Sequence, residues 1–300
     1  MNTTRNLPAE ASRHESTRWG PERRLEFIDF RLRWEGKLNR SDLVAFFGIS
    51  IPQASLDIAR YLELAPTNAV YDKSIKGYFA TNTFSPLYRT NEPARYLNEL
   101  LASATEVLQA ESSFIGWTPP VLVSASPTRT LSANTLICLL GSIRRARAVK
   151  VLYQSMSSVE PKERVIAPHA LAYDGFRWHA RAFCNLREKF IDFVIARILS
   201  IQGLEEPGTD GASDEAWHHP IRLVLAPNPA LSSAHQRVLE LDYGMTEGEV
   251  ILECRQALLF YTLKRLGLLD SGNAAPEVQQ IVLRNIDEIR AYLPTSNEPR

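Results

Sequence analysis

Residues 165–184 of this chain read VIAPHALAYDGFRWHARAFC, and residues 192–198 read DFVIARI. The Asp-Gly pair at 174–175 predicts a tight turn between two strands, and the second run predicts a further strand. Basic and aromatic side chains recur inside these otherwise apolar strands, where a plain β core has little use for cations. The pattern favours a pocket for an anionic or polar molecule. The side chains concerned are His169, Trp178, His179, Arg181 and Arg197.

The composition of the chain is that of an ordinary soluble protein, but its charges are unevenly spread. Its 300 residues are enough for two or three domains, and 45% are hydrophobic and 23% charged. Residues 1–90 and 91–205 each carry 13 basic and 10 acidic side chains, whereas residues 206–300 carry 8 and 14. The first two-thirds of the chain are therefore better suited than the last third to face a polyanion.

The cysteines and the apolar runs argue against several classes of protein. Cys138, Cys184 and Cys254 are far apart, with the spacing of neither a zinc site nor a disulfide framework. No apolar run approaches the roughly 20 residues of a membrane helix, and the polar residues 1–18 lack the core of a signal peptide. We expect a cytoplasmic protein with free thiols, no metal site, no cofactor and no membrane partner.

Residues 21–80 predict three helices followed by a β-hairpin. Apolar side chains recur at helical spacing over 21–35, 41–47 and 51–65, and residues 70–79 form two strand-like runs about a polar turn. Ser41 is expected to cap the second helix, and Ser50 with Gln53 has the spacing of a capping box for the third. This order is typical of a winged helix-turn-helix domain. Another small three-helix domain would show the same order.

Two features of this segment favour DNA as its ligand. The outward face of the third helix has few acidic residues, and Lys73 and Lys76 lie in the hairpin turn, where a wing would neutralise phosphates. Asp57 would repel phosphate if it pointed outward, so we expect it to bond a basic side chain or a backbone group. The outward positions are Pro52, Gln53, Leu56 and Arg60.

The remaining residues predict a second α+β region. We expect helices over 91–111 and 132–147, a strand over 149–155, and an acidic, Gly-rich domain boundary over 205–217. Strands at 221–226 and 250–254, helices at 232–239 and 256–266, and a closing amphipathic helix over 275–292 complete a small domain. In the boundary, Asp210, Asp214 and Glu215 form an acidic loop with no partner motif.

Two segments resemble a known family. Residues 165–198 resemble the WYL domain, matching at Pro168, Asp174-Gly175, Arg177-Trp178, Arg181-Ala182-Phe183 and Arg197-Ile198, although His179 stands where the family has tyrosine. Residues 40–80 resemble the winged helix of the WYL-domain transcriptional repressors associated with BREX and CBASS phage-defence operons. The matching stretches are GISIPQASLD at 48–57, LAPTN at 64–68 and YDKS at 71–74.

The resemblance implies an α+β protein in which an N-terminal winged helix-turn-helix, a central Sm-like β-barrel WYL domain and a small α+β C-terminal extension domain follow one another. We predict five segments: a disordered tail at 1–20, the DNA-binding domain at 21–90, a helical linker at 91–130, the ligand-sensing WYL domain at 131–205 and the dimerisation domain at 206–300.

The resemblance also implies a homodimer that binds an inverted-repeat operator in double-stranded DNA and represses a phage-defence operon. The third helix then enters the major groove. We expect Ser50, Gln53 and Ser55 to contact bases and nearby phosphates, with Gln53 bidentate to adenine, and Arg60, Lys73 and Lys76 to contact phosphates.

For the WYL domain we expect a small nucleotide or oligonucleotide effector that releases the repressor, because arginine forks recognise phosphate and base edges. The alternative is that Arg181 or Arg197 is a buried ion-pair partner, for example of Asp192, and that His169 caps a strand. The predicted ligand-binding side chains are Tyr153, Ser155, His169, Trp178, His179, Arg181 and Arg197.

Three other functions compete with a ligand-released repressor. A transcriptional activator would have the same fold, and sequence does not separate the two. A nucleotide-processing enzyme is disfavoured, because the chain has no Walker loop, no zinc-protease motif and no nucleophile elbow, and no paired carboxylates near Arg181. A role in RNA binding is the remaining alternative.

Overall fold

The computed structural model describes residues 20–88, 92–109, 112–125, 127, 129–269 and 275–293, and all statements below concern these residues. The predicted tail at 1–20 lies almost wholly outside them. The chain divides into two compact units, one on each side of residues 126–127.

The first unit contains the predicted three helices and hairpin. A short strand after the first helix joins the hairpin, so that the antiparallel sheet has the order β1-β3-β2. The elements are α1 (Pro21–Glu35), β1 (Lys37–Leu38), α2 (Arg40–Phe47), α3 (Ile51–Leu64), β2 (Ala69–Asp72) and β3 (Gly77–Ala80). This is the order of a winged helix-turn-helix domain.

Local chemistry sets the ends of these helices. Gly36 and Gly48 follow α1 and α2 in the left-handed conformation, which glycine adopts without strain. The predicted cap at Ser41 was wrong: Asn39 is the N-cap of α2, and its N–H donates to Asp42 Oδ2 at 2.7 Å. Asparagine in extended backbone is among the strongest N-caps, so the helix begins two residues earlier than predicted.

An aromatic cluster forms the core of the first unit and fixes α3 on α1. Phe27 and Phe30 each pack edge to face on Phe114, and Ile28 is buried in the same cluster. Tyr61 of α3 is fully buried, and its hydroxyl donates to Asp29 Oδ1 of α1 at 2.6 Å. Burial raises the pKa of Tyr61, so the hydroxyl keeps its proton and remains a donor.

The helices at the boundary between the two units are shorter than predicted. The helix expected over 91–111 is α4 (Pro93–Ala104), and the one expected over 132–147 is α5 (Ala133–Arg145), capped by Ser132. Between Thr105 and Ala133 the described residues contain no α-helix, so α4 is the α-helix that the described part of 91–130 contains, and the linker itself stays a prediction. Proline at 119, 120 and 127, which lacks the backbone N–H, disfavours helix there.

The second unit begins with a five-stranded antiparallel sheet. Its strands pair in the order β7-β6-β5-β4-β8. Pairing between the strands at the two ends is not seen in the described residues, so closure into an Sm-like barrel remains a prediction. The strands are β4 (Arg147–Tyr153), β5 (Lys162–Tyr173), β6 (Trp178–Cys184), β7 (Lys189–Val194) and β8 (Ile198–Pro207).

The predicted Asp-Gly turn joins β5 to β6. Asp174 accepts hydrogen bonds from the N–H groups of Phe176 and Arg177 at 2.8 Å each. Gly175 has φ +96°, which a side chain would strain. This tight turn sets the register in which Tyr173 faces Trp178 and Ala170 faces Arg181.

The C-terminal part of the second unit is a small α+β domain around the sheet β10-β9-β11. Its core joins Leu223 and Leu225 of the central strand to Leu259 and Leu263 of a helix. The elements are α6 (Glu215–His218), β9 (Pro220–Pro227), α7 (Ser233–Asp242), β10 (Val250–Arg255), α8 (Leu259–Arg265), β11 (Ile281–Leu283) and α9 (Ile286–Arg290).

The predicted closing helix over 275–292 was wrong. Residues 281–283 form β11, where Ile281 and Leu283 turn to the core and Val282 is only half-buried. Asn285 then holds the turn to the short α9, because its side chain accepts from the Val224 N–H at 3.0 Å and donates to the Arg222 carbonyl at 2.9 Å. Pairing with β9 therefore outweighs helical periodicity in this segment.

Three further observations concern the described residues alone. No single helix there has the length and apolarity to cross a membrane; α2 and α3 pass only when taken together, and they meet at 116°. No three His, Cys, Asp or Glu side chains are grouped as metal ligands. The three cysteines are free, and burial raises the pKa of the Cys254 thiol.

Candidate DNA-binding and effector sites

The predicted base-contacting residues Ser50, Gln53 and Ser55 lie at the start of α3, with Gln53 and Ser55 on opposite flanks of the helix. Ser50 is exposed, and its hydroxyl accepts the Gln53 N–H at 3.3 Å. The half-buried Ser55 donates its hydroxyl to the Ile51 carbonyl at 3.0 Å. Both hydroxyls therefore have local partners, and each retains acceptor capacity for an incoming donor.

Over its first three turns the outward face of α3 is apolar with one cation, and the exposed Glu63 lies on the same face in the last turn. Ile51, Pro52 and Arg60 are exposed, and Leu56 is 64% exposed. Apolar side chains at the front of such a helix suit contact with thymine methyl groups, and Arg60 suits a phosphate.

Asp57 lies behind this face rather than on it. Its carboxylate is paired with Arg24 of α1, whose Nε lies 2.7 Å from Oδ2 and whose Nη2 lies 3.1 Å from Oδ1. Gln53 Nε2 donates to the same Oδ1 at 3.0 Å. The expectation that Asp57 bonds a basic side chain is confirmed, and no acidic group is presented to a phosphate at this position.

The wing presents both predicted lysines to solvent. Lys73 and Lys76 are exposed in the turn between β2 and β3. The turn is closed by Asp72, which accepts from the Ser74 hydroxyl and N–H, and these hydrogen bonds lower the pKa of Asp72. Lys76 has φ +54°, so its position in the turn comes with backbone strain.

In the second unit, two of the predicted ligand-binding residues meet on a buried carboxylate. Arg181 of β6 donates from Nε to Asp214 Oδ2 at 2.7 Å and from Nη2 to Oδ1 at 3.0 Å. His169 Nε2 of β5 lies 3.0 Å from Asp214 Oδ2, and the Trp217 N–H donates to Oδ1 at 3.2 Å. The arginine side chain is 8% exposed and the aspartate 2%. The structure therefore favours the ion-pair alternative for Arg181.

The same arginine reaches a second carboxylate. Arg181 Nη1 lies 3.3 Å from Asp192 Oδ1 of β7, and Asp192 Oδ2 accepts the Tyr261 hydroxyl of α8 at 3.1 Å. Burial would raise the pKa of Asp214, but the hydrogen bond and charge of Arg181 outweigh it and lower the pKa. Burial raises the pKa of Tyr261. The network ties the WYL-like sheet to the C-terminal domain.

His179, at the position of the family tyrosine, is buried beside this network. Its Nε2 lies 3.0 Å from Asp174 Oδ2, its ring packs on Tyr261 with centroids 4.9 Å apart, and its Nδ1 has no partner among the described residues. Trp178, in contrast, is exposed and packs on Tyr173 at 5.0 Å. Adjacent positions of β6 thus place one ring inside and one in solvent.

The other predicted ligand residues lie where β4 ends and β8 begins. Tyr153 is half-buried, and its hydroxyl accepts the Val194 N–H at 3.1 Å, which leaves its proton free to be donated. Ser155 is hydrogen-bonded to Ser157. Arg197 is half-buried and has no ion-pair partner in the described part of the chain. Two groups result: Arg181 with His169, which are engaged, and Tyr153 with Arg197, which are open because each keeps an unused donor; Ser155 is engaged with Ser157.

Sequence reasoning missed two residues of the network and misread a third. The sequence places Asp214 in an acidic loop with no partner motif, yet it is among the most buried polar residues and contacts Arg181 and His169. Tyr261 and Asp174 were not proposed as site residues. The only signal for Asp214 is an aspartate at a helix N-cap position three residues before an aromatic one, which is too common to be specific.

Comparison with known protein families matches all three segments of the chain. Residues 20–102 match the BrxR transcriptional regulator winged helix-turn-helix domain, residues 135–202 the WYL domain, and residues 220–289 the BrxR transcriptional regulator C-terminal dimerization domain.

Curated relatives match nearly the whole chain. The DNA-binding transcriptional repressor CapW of Escherichia coli (strain KTE188) is 45% identical over 282 residues, 93% of this chain and 94% of the relative. CapW of Stenotrophomonas maltophilia is 42% identical over 286 residues, 95% of this chain and 96% of the relative.

The chain belongs to the CapW family of DNA-binding transcriptional repressors. Its matched domains are regulatory, which sets aside the nucleotide-processing enzyme. Among solved structures, the proteasome accessory factor B/C of Arthrobacter aurescens aligns with 96% of this chain and 51% of that chain at 13% identity. Its TM-score of 0.26 is too low for a conclusion about fold.

Proposed function

We propose that this CapW-family repressor binds, as a homodimer, an inverted-repeat operator in front of a phage-defence operon, and that a nucleotide or oligonucleotide bound to its WYL domain releases it. The observation that carries the DNA-binding part is the arrangement of the first unit. In this unit Arg60 is exposed on α3, and Lys73 and Lys76 are exposed on the wing.

A symmetric dimer explains why the operator should be an inverted repeat. In each protomer α3 enters the major groove and the wing lies on the backbone. Two such helices fit half-sites about 34–36 Å apart, or a multiple of that, so a modest change in dimer geometry breaks the match. The segment that matches a dimerization domain would provide the contact between the two protomers.

The effector part of the proposal is supported by the open group in the WYL domain. Arg197 carries a guanidinium without an ion-pair partner in the described residues, and Tyr153 retains a free donor. The exposed Trp178 and Tyr173 rings offer a surface on which a base can stack. An effector of this kind shifts the dimer only if it binds one geometry better than the other.

The DNA-binding part is tested with the full-length protein and the DNA immediately upstream of its own gene. Fluorescence anisotropy at low salt should show saturable binding of the labelled upstream DNA. An unlabelled scrambled duplex of the same composition should be a poor competitor for this binding. Arg60→Ala should weaken binding to both duplexes, because a phosphate contact carries no sequence information. Equal affinity of the wild type for both duplexes would contradict the proposed operator.

The effector part is tested on the preformed complex. Short single-stranded oligonucleotides and cyclic dinucleotides are titrated in, and release of labelled operator is followed. The wild type should release DNA with one of these probes, and Arg197→Ala should bind operator normally but fail to release it. Release that is unchanged in Arg197→Ala would remove this residue from the effector site.

A further inference from the structure

A buried ion pair stands directly behind the DNA-facing side of α3. The Asp57 side chain is 4% exposed and that of Arg24 is 10% exposed. Buried ion pairs are weak contributors to stability, because desolvation offsets much of the attraction, and apolar side chains of similar volume serve packing equally well. The position of the Arg24–Asp57 pair therefore indicates a role other than packing.

The ion pair decides which way the Gln53 side chain faces. Gln53 Nε2 donates to Asp57 Oδ1 at 3.0 Å, one helical turn away. Only the NH₂ end of an amide can donate to a carboxylate, whereas its carbonyl end would be repelled. Arg24 holds the carboxylate through both of its oxygens, so the acceptor itself cannot rotate away.

The orientation leaves one edge of the amide unused. Nε2 has two hydrogens, and one is taken by Asp57. When Asp57 takes the hydrogen that points away from Oε1, the other Nε2–H and the Oε1 acceptor remain side by side. Adenine presents the complementary pair in the major groove, with N7 as acceptor and the N6 amino group as donor, whereas guanine presents two acceptors.

We infer that the Arg24–Asp57 pair is a positioning device that presets Gln53 to read one adenine in each half-site. The inference rests on the proposed entry of α3 into the major groove. Gln53 is the residue that contacts the base, and Arg24 and Asp57 act through it. A preset amide pays less conformational entropy on binding and discriminates against a base that would require the flipped amide.

The helix has enough independent anchors for this role to be tested. Ala54, Ile58 and Tyr61 are buried against α1 and α2, and the Tyr61 hydroxyl bonds Asp29 of α1. Replacing the pair by apolar residues, Arg24→Met with Asp57→Leu, removes the acceptor for Gln53 and leaves these anchors in place. Tyr61→Phe is the matched control, because it removes an α1–α3 hydrogen bond that does not touch Gln53.

The experiment measures discrimination rather than affinity alone. Each adenine of the footprinted upstream site is replaced, symmetrically in both half-sites, by 7-deazaadenine, which lacks the N7 acceptor but pairs normally. Loss of one hydrogen bond per half-site should weaken wild-type binding about fivefold or more at one position. Gln53→Ala should be insensitive at that position. The Arg24→Met/Asp57→Leu protein should retain less than a twofold difference, and Tyr61→Phe should retain the full difference.

The outcomes separate the two proposals. A double variant that keeps the wild-type ratio between the two duplexes overturns the positioning role, even if its affinity for both duplexes is lower. A wild type that binds its upstream DNA with no sensitive adenine overturns the assignment of Gln53 to adenine. A wild type that does not bind that DNA at all contradicts the proposed function instead.

Discussion

At the scale of single residues, Arg181 shows that the role of a basic side chain in a strand depends on its neighbours in the fold. Its type and spacing predict a ligand contact, and its neighbours in space make it the centre of a buried network. Asp214 neutralises it through two hydrogen bonds, and Asp192 adds a third contact. An effector would have to displace a buried carboxylate to reach the guanidinium of Arg181. It could reach the guanidinium of Arg197 without displacing a carboxylate.

Arg181→Ala should therefore damage stability before it damages sensing. The change leaves Asp214 and Asp192 buried without their counter-charge, which costs about 3–5 kcal/mol in comparable pairs. Arg197→Ala is the matched control and should lie within about 0.5 kcal/mol of the wild type. Urea denaturation followed by circular dichroism measures both, and an Arg181→Ala midpoint equal to that of the control would contradict the structural role.

Asp174 should make the second unit sensitive to acid. Burial alone would raise its pKa, but the hydrogen bonds from His179 and from the N–H groups of Phe176 and Arg177 hold it at about 2, below the ordinary 3.8. A depressed pKa contributes stability above pH 3.8 that is lost as the pH falls towards 2. Asp174→Asn should be less stable at neutral pH and should show a shallower decline between pH 4 and 2.5. Urea midpoints across this range measure the two slopes, and parallel slopes would exclude Asp174 as a source of the decline.

At the scale of elements, the winged helix was predictable and the C-terminal closing segment was not. The ends of α1, α2 and α3 follow from two glycines and local capping, so the signal lies within a few residues. Residues 275–292 carry a helical apolar pattern, but β9 offers an unpaired edge to residues 281–283. That edge is about 55 residues away in sequence, and local periodicity contains no information about it.

The wing should contribute charge rather than specificity. Removing the charge of Lys73 or Lys76 should reduce the slope of log affinity against log salt by about 0.9 per lysine in each half-site. Lys73→Ala is suitable at the first position. Lys76→Asn is preferable at the second, because asparagine tolerates the observed φ of +54°. Anisotropy titrations at several salt concentrations give the slopes, and an unchanged slope would place the lysine away from the phosphates.

At the scale of the whole molecule, a homodimer is the expectation that joins the three matched domains. The mass measured by sedimentation should be twice that of the 33.8 kDa chain. The protein should bind a duplex with one half-site far more weakly than a duplex with the full inverted repeat. Analytical ultracentrifugation and titration of both duplexes test this. A monomer that binds one half-site as tightly as two would contradict it.

The same scale shows where sequence reasoning stops. The domain order and the candidate surfaces can be predicted, because motifs and helix ends are local. The pairing of Arg181 with Asp214, 33 residues apart, and of Arg24 with Asp57, also 33 apart, depends on the tertiary fold. Prediction succeeded for Asp57 because an exposed acid would oppose DNA binding, and failed for Asp214 because nothing in its loop required a partner.

Asp214 has a practical consequence for exchanging parts between relatives. It lies between the last strand of the WYL sheet and the first strand of the C-terminal domain, yet its carboxylate belongs to the WYL sheet through Arg181 and His169. In a chimera joined in the loop at 208–213, the residue at position 214 would come from the relative that supplies the C-terminal domain, whether or not that residue is an aspartate. A junction placed after Trp217 would carry the counter-ion with its arginine, and the remaining contact to match across it would be that of Tyr261 with Asp192 and His179.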